Sequence, residues 1–555
     1  MAMLDEPWFG LRGGWLTFWV TVACATDMTL FGYDQGVFGI SLSPILENIY
    51  ICIYESWLTY KKKGGVIVTE DFLNTLDLRD KASLLGTVTA LYDVGCLLGA
   101  LFAMCYAERL GRKKAILLGT SVMAIGALLQ TTAYGVPQMI VGRIVAGLGN
   151  GLNTSTAPVW QGETSQIRWR GKLIVIELVL NIAGYSVSNW ITYAFSYVAG
   201  PASWRFPLAF QFVFILGLYA TVPWLPESPR WLISHGRCDE ARVIIANLED
   251  LDPTHPCVVT AYTEIVDAVE YERQNAVSWT QLLRGKSTEQ GGTCAVRRLI
   301  LGAAAQAFQQ LSGINVTSYY LPTVLMQSVG MSEKMSRLLA ACNSVSYLLA
   351  GVVAIPNIER WGRRRLFMVC AFGQGVCYLL ITVLLAMNEK PGYAHAQQVA
   401  SASVAFIFVY YVFFGCGFQG IPWLLPVEIN SLSMRTKGAG LATATNWATN
   451  FMVVEITPVG IQNLGYRFYI IWTVLNFAFV PLIYLFYPET ANRALEDIDL
   501  FFRENQGFFV HRNPEAVSTK RPIRYVEMEK HLVDTVDRKN DLGDLEQVEN
   551  ASIQG

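Results

Sequence analysis

The stretch ERLGRKK, residues 108–114, returns as ERWGRRR at 359–365, 251 residues later. Two further echoes follow in the same order. Glu163 and Arg170, seven residues apart, recur as Glu428 and Arg435 at an offset of 265, and PES at 226–228 recurs as PET at 488–490 at an offset of 262. Each echo falls at the polar end of an equivalent apolar run, so the chain reads as a duplicated unit. Both copies carry these loops on the same side, which makes the repeats parallel. That is the arrangement of two halves rocking around a central site.

The apolar runs fall near 14–38, 84–106, 115–133, 137–160, 173–198, 206–225, 298–327, 336–357, 366–387, 400–425, 438–460 and 468–487. A spanning helix needs about 20 apolar residues, and the runs satisfy that twelve times over. Only 15% of the 555 residues are charged and 52% are hydrophobic, against about 25% charged in an ordinary soluble domain. The expected fold is an all-α membrane protein of twelve transmembrane helices in two six-helix halves.

The expected divisions are 1–225 for the first half, 226–297 for a small helical linker domain, 298–488 for the second half and 489–555 for a tail. DEARVIIANLED (239–250) and YTEIVDAVEYERQ (262–274) within the linker have helical, amphipathic spacing.

Lysine and arginine set the orientation. ERLGRKK, QIRWRGK (166–172), ERWGRRR and MRTKG (434–438) share one side, while TAYGVP (132–137) has no charge and GYR (465–467) has one. The basic side, and with it both termini, is expected to be cytoplasmic. The loop at 41–82 breaks the trend with KKK at 61–63, but it is long and also acidic, and long loops weigh little in the rule. The first apolar run lacks a cleavage site and reads as a retained span. The sequons at Asn153, Asn315 and Asn550 fall in spans or in the tail and read as chance matches.

A net charge of −2 without a basic tract gives no reason to expect a nucleic-acid partner, and eleven scattered cysteines with no CxxC pair suggest neither metal nor disulfides. No cofactor is expected. No nucleophile–base pair or phosphate-cradling glycine loop suggests an enzyme.

FGYD (31–34), the ERLGRKK loop, GR (142–143), PESPRWL (226–232), QQLSGIN (309–315), IPWLLPVE (421–428), NW (446–447) and PET (488–490) together resemble the sugar porter family of the major facilitator superfamily, across nearly all of 14–500. NIAGYSVSNWITY (181–193) and VVEITPVGIQNLGYRFYIIW (453–472) resemble its fungal branch. The resemblance implies alternating access, a hexose-like or related polyhydroxy substrate and no covalent chemistry. A multi-pass plasma-membrane protein working as a monomer is expected.

A sugar asks for side chains that donate and accept, and for an aromatic platform. By resemblance, Gln309, Gln310, Asn315, Asn343, Trp423 and Asn446 match positions that contact sugar. The bland reading is that these intramembrane amides bridge helices. One departure stands out: family members carrying hexoses often have glutamine eight residues after the arginine that opens the fifth span, and here that position is Leu178. Pentose, disaccharide, polyol and acidic sugar stay open.

Arg112, Glu163, Arg170, Glu227, Arg230, Arg364, Glu428 and Arg435 cluster at the inner ends of spans. Resemblance assigns them to a cytoplasmic latch that holds the outward-facing state. Ordinary positive-inside anchoring explains the arginines but not the repeated glutamates.

A charge at mid-bilayer costs at least about 2.5–3.5 kcal/mol. Asp34 in FGYDQGVFG can lower that cost by pairing with Arg143 or by taking up a proton. In the family an aspartate here accompanies proton symport, so proton-coupled import is expected, with protons as a second partner. A permanent Asp34–Arg143 pair in a facilitative uniporter is the alternative, and a transporter-like nutrient sensor is an alternative of another class. Asp27, Asp93, Glu177 and Glu455 also lie within spans, each either a proton relay or a cap on an interhelical contact.

Overall fold

A computed structural model describes residues 10–38, 70–76, 82–165, 170–198, 200–274, 294–390, 393, 395–431, 434–493, 495–505 and 507–524. The lysines at 61–63 and the sequon at Asn550 lie outside the described residues.

Every apolar run folds as helix, because in lipid only a helix satisfies its own backbone groups within one segment. The first half comprises α1 (Gly13–Val37), α2 (Ala82–Leu110), α3 (Arg112–Thr131), α4 (Val136–Thr164), α5 (Arg170–Phe195) and α6, whose two pieces are Ala202–Ala209 and Gln211–Thr221. The second half begins with α7, in the pieces Cys294–Leu311, Ile314–Ser318 and Leu321–Gln327. There follow α8 (Glu333–Trp361), α9 (Arg363–Asn388), α10 (Ala396–Phe413, then Ile421–Ile429), α11 (Arg435–Leu464) and α12 (Phe468–Phe486).

Among the described residues, eight helical stretches are long and apolar enough to cross a membrane, and one of them, Lys437–Phe486, contains both α11 and α12. The remaining spans are α1, α4 and α7. These three are diluted by Asp27 and Asp34, by Arg143 with Asn150 and Asn153, and by Gln306, Gln309 and Gln310, all buried. Polarity is concentrated in the spans that build the site.

Close approach of helices relies on glycine. A Cβ added at Gly95 or Gly99 of α2 would lie 2.3 Å from the Ile144 carbonyl oxygen or 2.2 Å from that of Leu148 in α4. Conversely, one at Gly147 or Gly151 would lie 2.2 Å or 2.1 Å from the carbonyl oxygens of Tyr92 or Cys96. These two small-xxx-small pairs interlock, so van der Waals contact takes the place of a hydrophobic driving force that lipid cannot supply.

The halves meet along a seam. Thr87 Oγ1 donates to Glu455 at 2.9 Å, Asn450 Nδ2 to Asp93 at 3.0 Å, and Ser344 Oγ to Ser186 Oγ at 3.1 Å. The Trp447 ring packs edge-on against Phe31 and Tyr92. On the face away from the basic loops, Tyr319, Tyr320 and Val454 of the second half join Val37, Phe38, Leu85 and Val88 of the first in one buried apolar cluster. That end of the seam is shut.

Three helices follow α6: Pro229–Ser234, Cys238–Glu249 and Pro256–Gln274. Their apolar stripe, including Trp231, Leu232, Ile244 and Leu248, buries itself against Leu16 of α1. Beyond α12, the helix Leu495–Glu504 seats Ile498, Phe501 and Phe502 in the core of the second half. Arg503 of that helix donates to the Tyr271 hydroxyl of Pro256–Gln274 at 2.9 Å.

Candidate functional site

The α7 helix breaks after Leu311 because Gly313 adopts φ +91°, and a Cβ there would lie 2.6 Å from the Tyr378 hydroxyl. The freed backbone groups find side-chain partners. Tyr378 donates to the Gly313 carbonyl at 2.7 Å, and Asn476 Nδ2 to that of Ser312 at 2.9 Å. Spanning helices tolerate a break on those terms. In α10, a π-helical turn at Phe414–Phe418 adds a residue to the helical ring and redirects the side chains after it.

Both devices point residues into a cavity of about 60 Å³ at the seam. The second half lines it with Gln309, Gln310, Ile314, Asn315, Ser318, Tyr319, Tyr347, Phe414, Gln419, Trp423 and Asn446. The first half gives Phe31, Gln35, Leu178, Asn181 and Tyr185.

The structure therefore brings five of the six expected sugar contacts together. Gln310 Nε2 donates to Asn446 Oδ1 at 3.1 Å, and Asn446 Nδ2 to Gln306 at 2.6 Å and Gln309 at 2.8 Å. Asn315 Nδ2 donates to Gln310 Oε1 at 2.6 Å and to Asn450 Oδ1. The amides hold one another in place, which preorients them for a ligand. Asn343 is not in the lining: it is wholly buried in α8, with neither side-chain polar atom hydrogen-bonded.

Sequence reasoning missed Gln35, Asn181, Tyr185, Ser318, Tyr347 and Gln419. A signal existed for two of them. Asn181 and Tyr185 lie three and seven residues after Leu178, on one helical face.

Asp34 and Arg143 face each other between α1 and α4, at 3.8 Å and both wholly buried. Arg143 also donates to the Thr89 carbonyl at 3.2 Å, and its guanidinium lies 3.9 Å from the Phe38 ring centroid and 4.3 Å from that of Tyr92. Of the other intramembrane acids, Asp27 accepts from Asn153 Nδ2 at 2.7 Å, while Asp93 and Glu455 take the seam bonds already given. Glu177 is buried with neither oxygen hydrogen-bonded.

At the basic-loop face the duplication becomes atomic. Arg112 pairs with Glu163 and with Glu108, both at 2.9 Å. Its counterpart Arg363 pairs with Glu428 at 3.1 Å and with Glu359. Glu227 caps the start of α3, accepting from the backbone N–H of Arg112 at 3.0 Å and of Lys113 at 3.3 Å. Glu489 caps α9 the same way, from Arg363 at 2.8 Å and Arg364 at 3.2 Å. A carboxylate at a helix N-terminus answers both the free N–H groups and the dipole.

The repeated glycine follows from this geometry. Gly111 and Gly362 adopt φ +85° and +82°, and a Cβ would lie 2.8 Å from Glu227 Oε2 or 2.3 Å from Glu489 Oε2.

Of the expected latch residues, Arg112, Glu163, Glu227 and Glu428 lie in these networks, and Arg230 is close enough to Glu163 to act on its charge. Arg364 joins the Glu489 cap only through its backbone N–H; its guanidinium turns away, donating to the Tyr484 carbonyl at 2.6 Å and packing over that ring at 5.1 Å. The arginine in the pair is Arg363, which the 251-residue offset from Arg112 designates. Arg170 and Arg435 open α5 and α11, and the Arg170 side chain lies outside the described residues. Among the described residues, the ion pairs of Arg112 and of Arg363 each stay within one half.

Two repeated six-helix halves around a cavity lined by amides and aromatic rings at their seam define a multi-pass membrane transporter of the major facilitator type. Residues 19–502 match the model of the family described as "Sugar (and other) transporter". The chain belongs to that family and is a transporter rather than an enzyme.

It is 52% identical over 531 residues to the MFS-type transporter oryC of Aspergillus oryzae, covering 95% of this chain and 93% of the relative. It is 36% identical to the sugar transporter STL1 of Saccharomyces cerevisiae, covering 89% and 82% respectively. Among solved structures, the proton:xylose symporter XylE bound to 6-bromo-6-deoxy-D-glucose shares the fold with a TM-score of 0.68 at 22% identity, covering 88% of this chain and 99% of that one. The inward-open conformation of XylE from E. coli gives a TM-score of 0.64 at 21% identity, covering 87% and 99%.

Proposed function

We propose that this protein imports a neutral sugar or polyol by alternating access, coupled to protons moving inward. The observation that carries the coupling is the wholly buried Asp34 facing Arg143 at 3.8 Å, beyond hydrogen-bond distance, with neither carboxylate oxygen hydrogen-bonded. An ionised carboxylate so placed draws its stabilisation chiefly from one guanidinium, with the Tyr92 hydroxyl and the Gln211 amide close by, and a proton removes the need for it. Protonation releases Arg143 from Asp34, leaving it the Thr89 carbonyl, two aromatic faces and the neighbouring Asp93 carboxylate, and the halves can then rearrange around bound sugar.

In this reading Gln309, Gln310, Asn315, Trp423 and Asn446 contact the substrate. The basic-loop face and both termini are cytoplasmic, the membrane is the plasma membrane and the monomer is the working unit. The paired arginine–glutamate networks steady the inner ends of the spans in each half. The division into two halves, a linker domain at 226–297 and a tail from 489 follows the same plan.

The test is uptake of labelled D-glucose, D-xylose, sorbitol and glycerol in a host lacking its own transporters, with external pH recorded on addition of each compound. Accumulation that collapses with a protonophore, and alkalinisation on sugar addition, are expected. Uptake that only equilibrates, unaffected by the protonophore, makes the protein a uniporter.

A further inference from the structure

Along α5, the cavity is lined at successive turns by Leu178, Asn181 and Tyr185. Across the seam the amides of α7 and α11 already bind one another. Asn181 is placed differently. It is 7% exposed, its Nδ2 donates to the Met28 carbonyl at 3.3 Å, and its Oδ1 accepts from Gln419 Nε2 of α10 at 3.4 Å. The Tyr347 hydroxyl donates to Gln419 Oε1 and fixes which way that amide faces. A separation of 3.4 Å is long for an N–H···O bond, so the Asn181–Gln419 contact between halves is weak and replaceable.

The α5 helix runs from the basic-loop face toward the shut end. Moving an amide from position 178 to 181 therefore displaces it about 4.5 Å in that direction. Among the described residues, no Asp, Glu, Lys, Arg or His lines the cavity, and the amides and hydroxyls that do line it suit a neutral ligand.

We propose that Asn181 and Gln419 are the specificity-determining pair, and that they select a neutral polyhydroxy compound with one hydroxyl directed toward the shut end and an apolar edge against Leu178. The inference rests on the sugar-or-polyol reading and deepens it. A ligand hydroxyl between the two amides donates to Asn181 Oδ1 and accepts from Gln419 Nε2, replacing one long bond with two. A hydroxyl pressed against Leu178 would stay unpaired, which a buried site penalises. The preferred ligand is thus a deoxy or otherwise hydroxyl-poor relative of a hexose at that edge.

The experiment is uptake by the full-length chain in a transporter-null host, with D-glucose, each of its single-deoxy analogues and sorbitol as probes. Wild type is expected to take at least one deoxy analogue as well as D-glucose. Leu178→Gln should raise the preference for D-glucose over that analogue about tenfold, which is 1.4 kcal/mol. Asn181→Leu and Gln419→Leu should each raise KM for every transported probe about tenfold, at equal surface expression and with a monodisperse elution profile. Asn181→Gln should recover part of the loss.

Unchanged KM values and an unchanged ranking in both leucine variants would overturn the assignment of the pair while leaving the sugar reading intact. A Leu178→Gln effect equal for all analogues would overturn the apolar edge. If wild type takes none of the probes, this inference falls, while the sugar-or-polyol reading is decided by the wider panel that includes D-xylose and glycerol.

Discussion

Arg143 and Asp34 stand 3.8 Å apart, both without solvent exposure, and no hydrogen bond joins them. Arg143 is held from its other sides by the Thr89 carbonyl and the Phe38 and Tyr92 rings. These contacts brace the guanidinium within the fold, while the charge it answers is that of Asp34. Asp34→Asn should leave the fold intact, abolish protonophore-sensitive accumulation and spare counterflow exchange. Concentrative uptake surviving in that variant would refute coupling through Asp34.

The two arginine–glutamate networks give a matched pair of variants. Glu428→Gln leaves buried Arg363 with Glu359 alone, and Glu163→Gln leaves Arg112 with Glu108 alone. Removing one partner of a buried pair costs about 3–5 kcal/mol, and the exposed second glutamate offsets part of it. Because these pairs close within one half, each variant is expected to lower the midpoint of thermal unfolding in detergent while labelling of a cysteine introduced at the opposite mouth stays near wild type. Reduced labelling in either would instead give the networks a role in gating.

The glycine pairs of α2 and α4 predict a stability defect with no change in substrate ranking. Gly151→Val places side-chain atoms where the Cys96 carbonyl now sits, and overpacking of this kind costs about 1–3 kcal/mol. The midpoint of thermal unfolding in detergent should fall, most of all when Gly95 and Gly151 are both replaced. A midpoint equal to wild type would mean the helices separate at no cost.

Asn343 and Asn315 separate cavity contact from burial. Asn315→Ala removes donors to Gln310 and Asn450 within the lining. A lost hydrogen bond of about 1–1.5 kcal/mol should raise KM roughly tenfold. Asn343→Ala lies outside the lining and should leave KM near wild type. The reverse order in uptake kinetics would place the substrate elsewhere.

The spans were legible because each is long, apolar and bounded by charge, and ERLGRKK with ERWGRRR disclosed the duplication. The amide cluster around Gln310 was legible because amides are conspicuous in an apolar segment. Gln419 was not, since the turn that redirects it, FGCGF at 414–418, has no simple period. Asn343 misled for the opposite reason: a buried amide on α8 meets the expectation for a ligand contact, and only helix rotation decides what it faces. Arg364 shows the cost of ignoring register. The offset that links Glu108 to Glu359 links Arg112 to Arg363, and three adjacent arginines hid the choice.

Because both charge networks close within their own halves, each half is stiffened where it meets the cytoplasmic boundary in the proposed orientation. The contacts that cross the seam are of another kind: hydrogen bonds at Thr87, Asp93, Tyr185 and Ser186, and apolar and aromatic packing around Trp447 and Tyr320. In the proposed alternating-access cycle the two halves would turn about this seam, and the Asn450–Asp93 bond is one of the contacts that such a motion must shear.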